Sequence, residues 1–231
     1  MEHPYLFLTK LCEMLGEGAS HFGHAYPHVT YMWLAMIILI FFGWLAGKGV
    51  TLVPKTAQSV FEVLLSGLEE FMVTITGEEG RKFFPLAATL FLFILLSNLM
   101  GLVPGFFPPT ASLNTTAACA VIAVTWTHIL GVRYHGAHYI KHFLGPVPAM
   151  IPLIFPIELI GHAARILSLS FRLFGNMMGH ELVVGILLML AGLYLAPLPI
   201  MALGIFVALV QAFVFFLLSV MYFAGAIEEA H

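Results

Sequence analysis

Five stretches of this chain are apolar for long enough to cross a lipid bilayer, and no other sequence feature constrains the fold as strongly. The hydrocarbon core of a bilayer is about 30 Å thick, a distance that about 20 helical residues cover. The stretches lie at residues 31–46, 83–103, 115–132, 148–195 and 199–227. They predict an all-α polytopic membrane protein with five membrane-embedded helices.

The composition fits this prediction. Hydrophobic residues make up 61% of the chain and charged residues 9%, whereas charged residues make up about a quarter of an average soluble domain. Nine Lys and Arg stand against twelve acidic residues, all of them Glu, which gives a formal net charge of -3. Without a basic excess to neutralise phosphates, the chain is not expected to bind nucleic acid.

The two cysteines and the start of the chain carry little information about function. Cys12 and Cys119 are far apart, so we expect neither a disulfide framework nor a thiolate metal site. The first residues, Met1-Glu2-His3-Pro4, lack the basic head of a cleavable signal peptide. We therefore expect the whole chain to be the mature protein.

Residues 53–76, between the first two stretches, follow a different pattern. Apolar side chains recur there at spacings of three and four residues, at Val60, Leu64, Leu68, Phe71 and Ile75. This period predicts an amphipathic helix that lies in the membrane interface. A polar break at 77–82 follows, and the proline-rich segments 104–110 and 196–199 are predicted to be tight turns that join neighbouring spans into helical hairpins.

Basic residues in the connections predict the orientation of the spans. Lys10 lies on one side, whereas six basic residues fall in the first-to-second and third-to-fourth connections, at Lys48, Lys55, Arg81, Lys82, Arg133 and Lys141. Since cytoplasmic loops carry the excess of Lys and Arg, these two connections are expected inside. The N-terminal segment 1–30 is then expected outside and the C-terminus in the cytoplasm.

The fourth stretch carries charged side chains at membrane depth, where each costs about 2.5 to 3.5 kcal/mol to insert. At 100° per residue, four polar side chains fall within about 40° of Arg172 and form one stripe with it; they are Glu158, Arg165, Ser168 and Asn176. Glu181 falls at about 180° and is expected to face a different compartment or partner. Such a stripe is stable where it faces protein or water rather than lipid.

Simpler roles stay open for several of these residues. Arg165 can extend to the cytoplasmic headgroups. Ser168 and Asn176 can serve as hydrogen-bond donors between packed helices, and the small residues at 175–179 favour a close helix contact. Gln211, in the last stretch, can likewise hydrogen-bond to a neighbouring helix.

The sequence around Arg172 resembles a family signature. Residues 168–182 read SLSFRLFGNMMGHEL, which is similar to the signature of subunit a of rotary ATP synthases. Further similarity lies at Glu158, fourteen residues before Arg172, and in the segments 84–86, 97–100, 209–215 and 228–229. The resemblance covers nearly the whole chain from Tyr31.

This resemblance implies a single membrane domain, 1–231, in which residues 148–227 form a long tilted helical hairpin. The hairpin would face a ring of small carboxylate-bearing c subunits, and peripheral-stalk b subunits would be further partners. The resemblance implies ion translocation in an ATP synthase membrane sector of a bacterial inner membrane. It implies no cofactor, no metal and no catalysis by the chain alone.

The resemblance also implies roles for individual residues. Arg172 would face the ring carboxylates and separate two half-channels. The outer half-channel and its interface would contain Asn98, Asn176, His180, Glu181 and Gln211. The inner half-channel would contain Glu158, Arg165 and Ser168.

Two positions depart from the family pattern. Some relatives carry aspartates near the end of the second span, where this sequence has Gly101 and Gly105, so the groups that collect ions at the outer mouth stay open. Others carry a histidine in the last helix near the position of Gly204. His180, beside Glu181, is expected to substitute for that histidine.

Two other function classes stay open. A secondary ion transporter would also use intramembrane Arg and Glu, although the sequence lacks the internal repeats of many transporters. A b-type cytochrome would fit the eleven histidines, with His128 and His142 fourteen residues apart. However, these two and their neighbours His135 and His138 are expected to be interfacial and solvated.

Overall fold

The computed structural model describes residues 8, 23, 25–48, 56–103, 105–136, 139, 151–191 and 198–227. Within these residues the chain forms six α-helices and two short 3-10 helices, and no strand. The α-helices are α1 (Pro27–Lys48), α2 (Thr56–Thr76), α3 (Phe84–Met100), α4 (Leu113–His135), α5 (Ile151–Ala191) and α6 (Leu198–Ile227). The 3-10 helices are Glu78–Phe83 and Pro109–Ala111.

Five of the helices are long and apolar enough to cross a membrane, and the predicted all-α polytopic fold is confirmed. The candidate spans are Pro27–Leu45, Glu78–Met100, Leu113–His135, Pro152–Leu190 and Pro199–Ile227. The first begins four residues earlier than predicted. Residues 148–150 and 192–195 of the fourth predicted stretch, and Pro104, Ala196 and Pro197 of the predicted turns, lie outside the described residues.

Helix α2 shows the predicted amphipathic pattern. Leu68 and Met72 are buried and Phe71 packs against the same core, whereas Glu62 and Glu70 are exposed. The helix ends at Thr76. The next residue, Gly77, has a φ of 69°, a left-handed conformation that glycine adopts without a steric penalty. Residues 53–55 of the predicted interfacial helix lie outside the described part of the chain.

The core lies where α3, α4, α5 and α6 meet. Phe91 of α3 contacts Phe216 of α6 edge to face, with ring centroids 6.0 Å apart. From α5, Leu169 and Leu173 enter the same core. Helix α5 packs mainly on α4, and α3 mainly on α6. The last two helices therefore rest on α3 and α4, which hold them from one side.

Helix α5 is continuous over 41 residues, although Pro156 lies inside it. At a rise of about 1.5 Å per residue it is about 60 Å long, which is about twice the hydrocarbon thickness. A helix of this length can remain at membrane depth only if it is strongly tilted. Such a tilt is what the resemblance implies for the hairpin 148–227.

The start of α1 is tied to the connection between α3 and α4. The hydroxyl of Tyr31 donates a hydrogen bond to the carbonyl of Gly105 (3.1 Å) and accepts one from the backbone N–H of Leu8 (3.2 Å). The Tyr31 ring also contacts Phe106 edge to face, with centroids 5.6 Å apart. These contacts bring the start of the first span and the second-to-third connection to the same end of the molecule.

Charged residues meet at the opposite end. Arg81 Nε lies 2.8 Å from a carboxylate oxygen of Glu69 on α2. Glu79 accepts hydrogen bonds from Lys82 Nζ (2.6 Å) and from the hydroxyl of Tyr134 near the end of α4 (2.8 Å). The basic segment before α3 and the basic end of α4 are therefore neighbours, as expected for two connections on one side of a membrane.

Packing at Phe216 gives the first testable prediction. Phe216→Ala should lower the free energy of unfolding by about 2 to 3 kcal/mol, because the fully buried ring leaves a cavity against Phe91. This is below the range for soluble cores, since a chain unfolded within lipid keeps its apolar side chains out of water. Phe206→Ala, at an exposed position of the same helix, should change the free energy of unfolding by less than about 0.5 kcal/mol. Thermal unfolding of the purified chain in mild detergent compares the two, and equal losses would contradict the assigned core.

Candidate functional site

Helix α5 has two unlike sides. Leu169, Leu173 and Met177 recur at four-residue spacing and are buried against the other helices. Ser168 and Arg172, one residue earlier in each turn, are exposed. The period of 3.6 residues per turn explains this division, because neighbouring residues point about 100° apart. Ser168 and Arg172, which belong to the predicted polar stripe, therefore lie on the side of α5 that faces away from the chain's own core.

Arg172 lies on an exposed apolar surface. Its neighbours Leu167 and Phe171 are 54% and 53% exposed. In the part of the chain that the structure describes, no carboxylate lies within ion-pair distance of Arg172. A guanidinium placed in the middle of a 39-residue apolar span thus receives no compensating charge from these residues.

The small residues beside Arg172 leave an open surface. A Cβ built on Gly175 or Gly179 would meet no atom of another described helix within 4 Å. The close helix contact that their spacing favours is therefore not made by the described helices. Any such contact would be made with atoms outside the described helices.

Three of the predicted outer residues form a polar band across three helices. Asn176 Nδ2 on α5 donates a hydrogen bond to Gln211 Oε1 on α6 (2.8 Å). One turn before Gln211, the carbonyl of Ala208 accepts a hydrogen bond from Asn98 Nδ2 on α3 (3.4 Å). Asn98 Oδ1 in turn accepts a hydrogen bond from the Thr110 hydroxyl (2.7 Å). Sequence analysis did not find Thr110, because nothing in a single sequence pairs it with Asn98.

His180 turns toward Gly204 on α6. Its Nε2 lies 3.2 Å from the carbonyl oxygen of Ile200. A Cβ built on Gly204 would collide with this imidazole and with Leu102. The ring of His180 therefore occupies the space that a side chain at position 204 would need.

Glu181 is half-buried and follows Arg172 by nine residues on the same uninterrupted helix. Nine residues correspond to about 180°, so the carboxyl lies on the opposite side of α5 from the guanidinium. The structure therefore does not pair Glu181 with Arg172.

The predicted inner residues lie toward the start of α5. The guanidinium carbon of Arg165 lies 5.3 Å from the centre of the Tyr222 ring on α6, which is cation–π distance. Arg165 is therefore directed at α6. Glu158 Oε1 lies 3.4 Å from His162 Nε2, one turn further along α5. Sequence analysis missed His162, although its spacing of four residues from Glu158 was a usable signal.

His128 differs from its expected solvated position. It is half-buried, its ring contacts the ring of His162 with centroids 4.5 Å apart, and its Nδ1 lies 2.8 Å from the Tyr139 hydroxyl. Its neighbour His135 places Nε2 3.1 Å from the carbonyl oxygen of Ala226. The expectation of a solvated His128 is thus wrong, because α4 and α5 pack directly at this position. His138 and His142 lie outside the described residues.

Comparisons with known proteins agree with this arrangement. The family model described as ATP synthase A chain matches residues 29–224. Proteins named ATP synthase subunit a from Desulfosudis oleivorans and Syntrophobacter fumaroxidans are 65% and 60% identical to this chain over 231 and 239 aligned residues. Another, from Citrifermentans bemidjiense, is 53% identical over 232 residues, and all three alignments cover 100% of both chains. With such matches along its whole length, the chain belongs to the ATP synthase subunit a family.

Proposed function

We propose that this chain is the proton-conducting stator subunit of an ATP synthase membrane sector, and that Arg172 separates its two half-channels. Family membership supports this function over a b-type cytochrome or a secondary transporter. A subunit of this kind is one component of a complex and catalyses no reaction alone. The bacterial relatives and the five apolar helices identify it as a multi-pass bacterial membrane protein.

One observation carries the assignment of Arg172. Its guanidinium lies on an exposed apolar surface of α5, and the described part of this chain offers it no carboxylate. A charge at this depth is stable only when a partner or water compensates it. A ring of small subunits with one carboxylate each would supply that partner, and the open surface at Gly175 and Gly179 would let ring helices approach closely.

The chemistry of arginine determines what Arg172 can do there. A guanidinium stays protonated at any physiological pH, so it cannot pass a proton on. It attracts a deprotonated carboxylate and repels a cation. A ring site that arrives protonated must release its proton before it meets Arg172, and a site that leaves must take up another before it returns to lipid. Arg172 therefore blocks direct flow between the half-channels while the ring turns.

The outer half-channel would run on the side of Glu181. Glu181 and His180 are the titratable groups there, and His180 fills the space above Gly204 on α6. Asn98, Asn176 and Gln211 would hold α3, α5 and α6 together along this path through the bonds described above. An imidazole beside a carboxyl can take a proton from water at one nitrogen and release one from the other.

The inner half-channel would run toward the start of α5, past Ser168, Arg165 and Glu158. Ser168 is exposed on the Arg172 stripe, and Glu158 is half-buried beside His162. Arg165 lies over Tyr222, so its charge is held against α6. The transmembrane potential contributes about 2.3 kcal/mol per proton for every 100 mV that the two half-channels span.

The remaining partners and the orientation complete the proposal. The membrane domain would cover 1–231, with 1–30 outside, 53–76 in the cytoplasmic interface and 148–227 as the ring-facing hairpin. Peripheral-stalk b subunits would bind the chain away from the ring. The clustering of Arg81, Lys82 and the end of α4 at one end of the molecule supports a cytoplasmic position for that end.

Replacement of Arg172 tests the central claim. Arg172→Ala should abolish ATP-driven proton pumping in inverted membrane vesicles, because the ring carboxylate loses the fixed charge that compensates it at mid-membrane depth. Lysine should restore little activity, since its ammonium is a compact charge that can deprotonate when buried. Arg133→Ala, at the interfacial end of α4, is the matched control and should pump at nearly the unmodified rate. Pumping by Arg172→Ala at that same rate would disprove the claim.

The proposed orientation is tested by labelling single cysteines. After replacement of Cys12 and Cys119, cysteines introduced at Lys55 and Lys141 should resist an impermeant thiol reagent in intact cells and react in inverted vesicles. A cysteine in the connection 106–113 should show the opposite pattern. Labelling of the two lysine positions from outside the cell would reverse the assigned topology.

Glu181 is tested by two measurements on the same vesicles. Glu181→Gln should slow ATP-driven pumping without raising passive proton conductance, because a carrier is lost while the Arg172 barrier stays in place. Glu70→Gln, on an exposed position of α2, is the matched control. Unaltered pumping would remove Glu181 from the path, and increased leakage would place it in the barrier instead.

A further inference from the structure

A chain of proton-carrying side chains connects α5 to α4 on the inner side of the molecule. It begins at Glu158, whose carboxylate lies 3.4 Å from His162 Nε2. The ring of His162 contacts the ring of His128 on α4, with centroids 4.5 Å apart and planes at 62°. His128 Nδ1 lies 2.8 Å from the hydroxyl of Tyr139, which follows α4 in the sequence. A carboxyl, two imidazoles and a phenol are thus in continuous contact.

This chain of groups leaves the ring-facing side of α5. Glu158 lies about 40° from Arg172 around the helix, whereas His162 lies about 80° from it, on the side that packs against α4. The side chain of His162 is 12% exposed and that of Glu158 is 31% exposed. The polar stripe of α5 therefore continues around the helix, from the open surface into the contact with α4.

The position of His128 in α4 gives the direction of the path. His128 precedes Arg133 by five residues, so it lies about 7.5 Å deeper in the membrane than the basic end of α4. Tyr139 follows that end, and its ring packs on Gly131, where a Cβ would collide with it. The chain of groups thus links the early turns of α5 to the end of α4, on the same side of the molecule.

We propose that His162 and His128 carry protons between Glu158 and the cytoplasmic end of α4, so that the inner half-channel leaves the ring-facing surface between these two helices. The proposal rests on the proposed function of Arg172. In the pumping direction a proton from the cytoplasm binds one nitrogen of His128. The imidazole releases its other proton toward His162, and His162 passes one to Glu158 and on toward the ring. Each group regains its starting state when the rings reorient, so no other reactant is needed.

The contact between the two imidazoles suits such a transfer. At a centroid distance of 4.5 Å the rings touch, and no water fits between them. A rotation of either ring can direct a nitrogen at the other ring. The Tyr139 hydroxyl supplies a hydrogen-bonding partner on the far side of His128, at Nδ1.

The surrounding charges favour passage over storage of protons. Among the described residues, the charged and titratable groups near the pair include Glu158 and Arg165 on α5 and Tyr139 after α4. Arg165 acts electrostatically on both His128 and Tyr139. A fixed positive charge opposes a resting state in which both imidazoles are protonated. Glu158 offsets this charge on the side where protons continue toward the ring.

Glutamine variants of the two histidines test the proposal in inverted vesicles that contain the assembled complex. His162→Gln and His128→Gln should each lower ATP-driven proton pumping by about 10-fold or more, since a positioned acid–base group is lost. The double variant should be no slower than the slower single variant, because the two groups act in series. His135→Gln is the matched control, since His135 is on the same helix but bonds to a backbone carbonyl of α6. It should pump within about twofold of the unmodified complex.

Rescue by free imidazole separates proton transfer from packing. The medium around inverted vesicles bathes the cytoplasmic face, so imidazole can enter the vacated site from there. Because imidazole also dissipates pH gradients, rescue is measured as ATP hydrolysis in the presence of an uncoupler, which proton flow through the membrane sector still limits. Imidazole should raise hydrolysis several-fold in both histidine variants but not in Arg172→Ala, and a bulky buffer of similar acidity should have no effect.

Two results would overturn the proposal. One is pumping by both histidine variants at the rate of His135→Gln. The other is a loss of pumping in fully assembled variants that imidazole does not reverse, which would show a packing role. If the His162 variant does not accumulate in the membrane, His128→Gln decides the question alone. If Arg172→Ala does not pump while both histidine variants pump normally, only this proposal is overturned. If Arg172→Ala pumps normally, the proposed function is overturned.

Discussion

The structure depends on one unusual electrostatic constraint, a guanidinium at membrane depth on an apolar surface. Arg172 costs about 2.5 to 3.5 kcal/mol to insert, and the described residues give it no carboxylate within ion-pair distance. The described helices accordingly leave the Arg172 side of α5 uncovered. The opposite side of α5 must anchor the helix. On that side, Leu169, Leu173 and Met177 enter the core formed with α3, α4 and α6.

The same constraint explains why polar groups are distributed around α5 instead of lying in one line. An arginine that blocks flow is useful only if the paths on its two sides do not meet. Glu181, about 180° from Arg172, and His162, about 80° from it, lead away from the stripe in different directions and at opposite ends of the helix. An uninterrupted helix of 41 residues keeps these angles fixed, because a break would rotate one end relative to the other.

Sequence patterns predicted most of the fold and part of the site. Span lengths follow from the bilayer thickness, so five membrane helices could be counted before any contact was known. The exposed stripe of Ser168 and Arg172 follows from the helical period. Contacts between helices did not follow, because the approach of α4 to α5 depends on side-chain packing along both helices. The His128–His162 contact and the Thr110–Asn98 hydrogen bond therefore appeared only in the structure.

The two proposed half-channels differ in the side chains that build them, and this difference has a physical basis. On the outer side, Asn98, Asn176 and Gln211 are amides that hydrogen-bond to a neighbouring helix and do not titrate, so they fix the positions of α3, α5 and α6. On the inner side, the contacts between α4 and α5 include those of His128 and His162, whose imidazole nitrogens can both accept and donate a proton. A helix contact built from amides keeps its strength whatever the proton flow. A contact built from imidazoles changes charge whenever a proton passes, so the inner contact between α4 and α5 must be held mainly by the apolar packing around it.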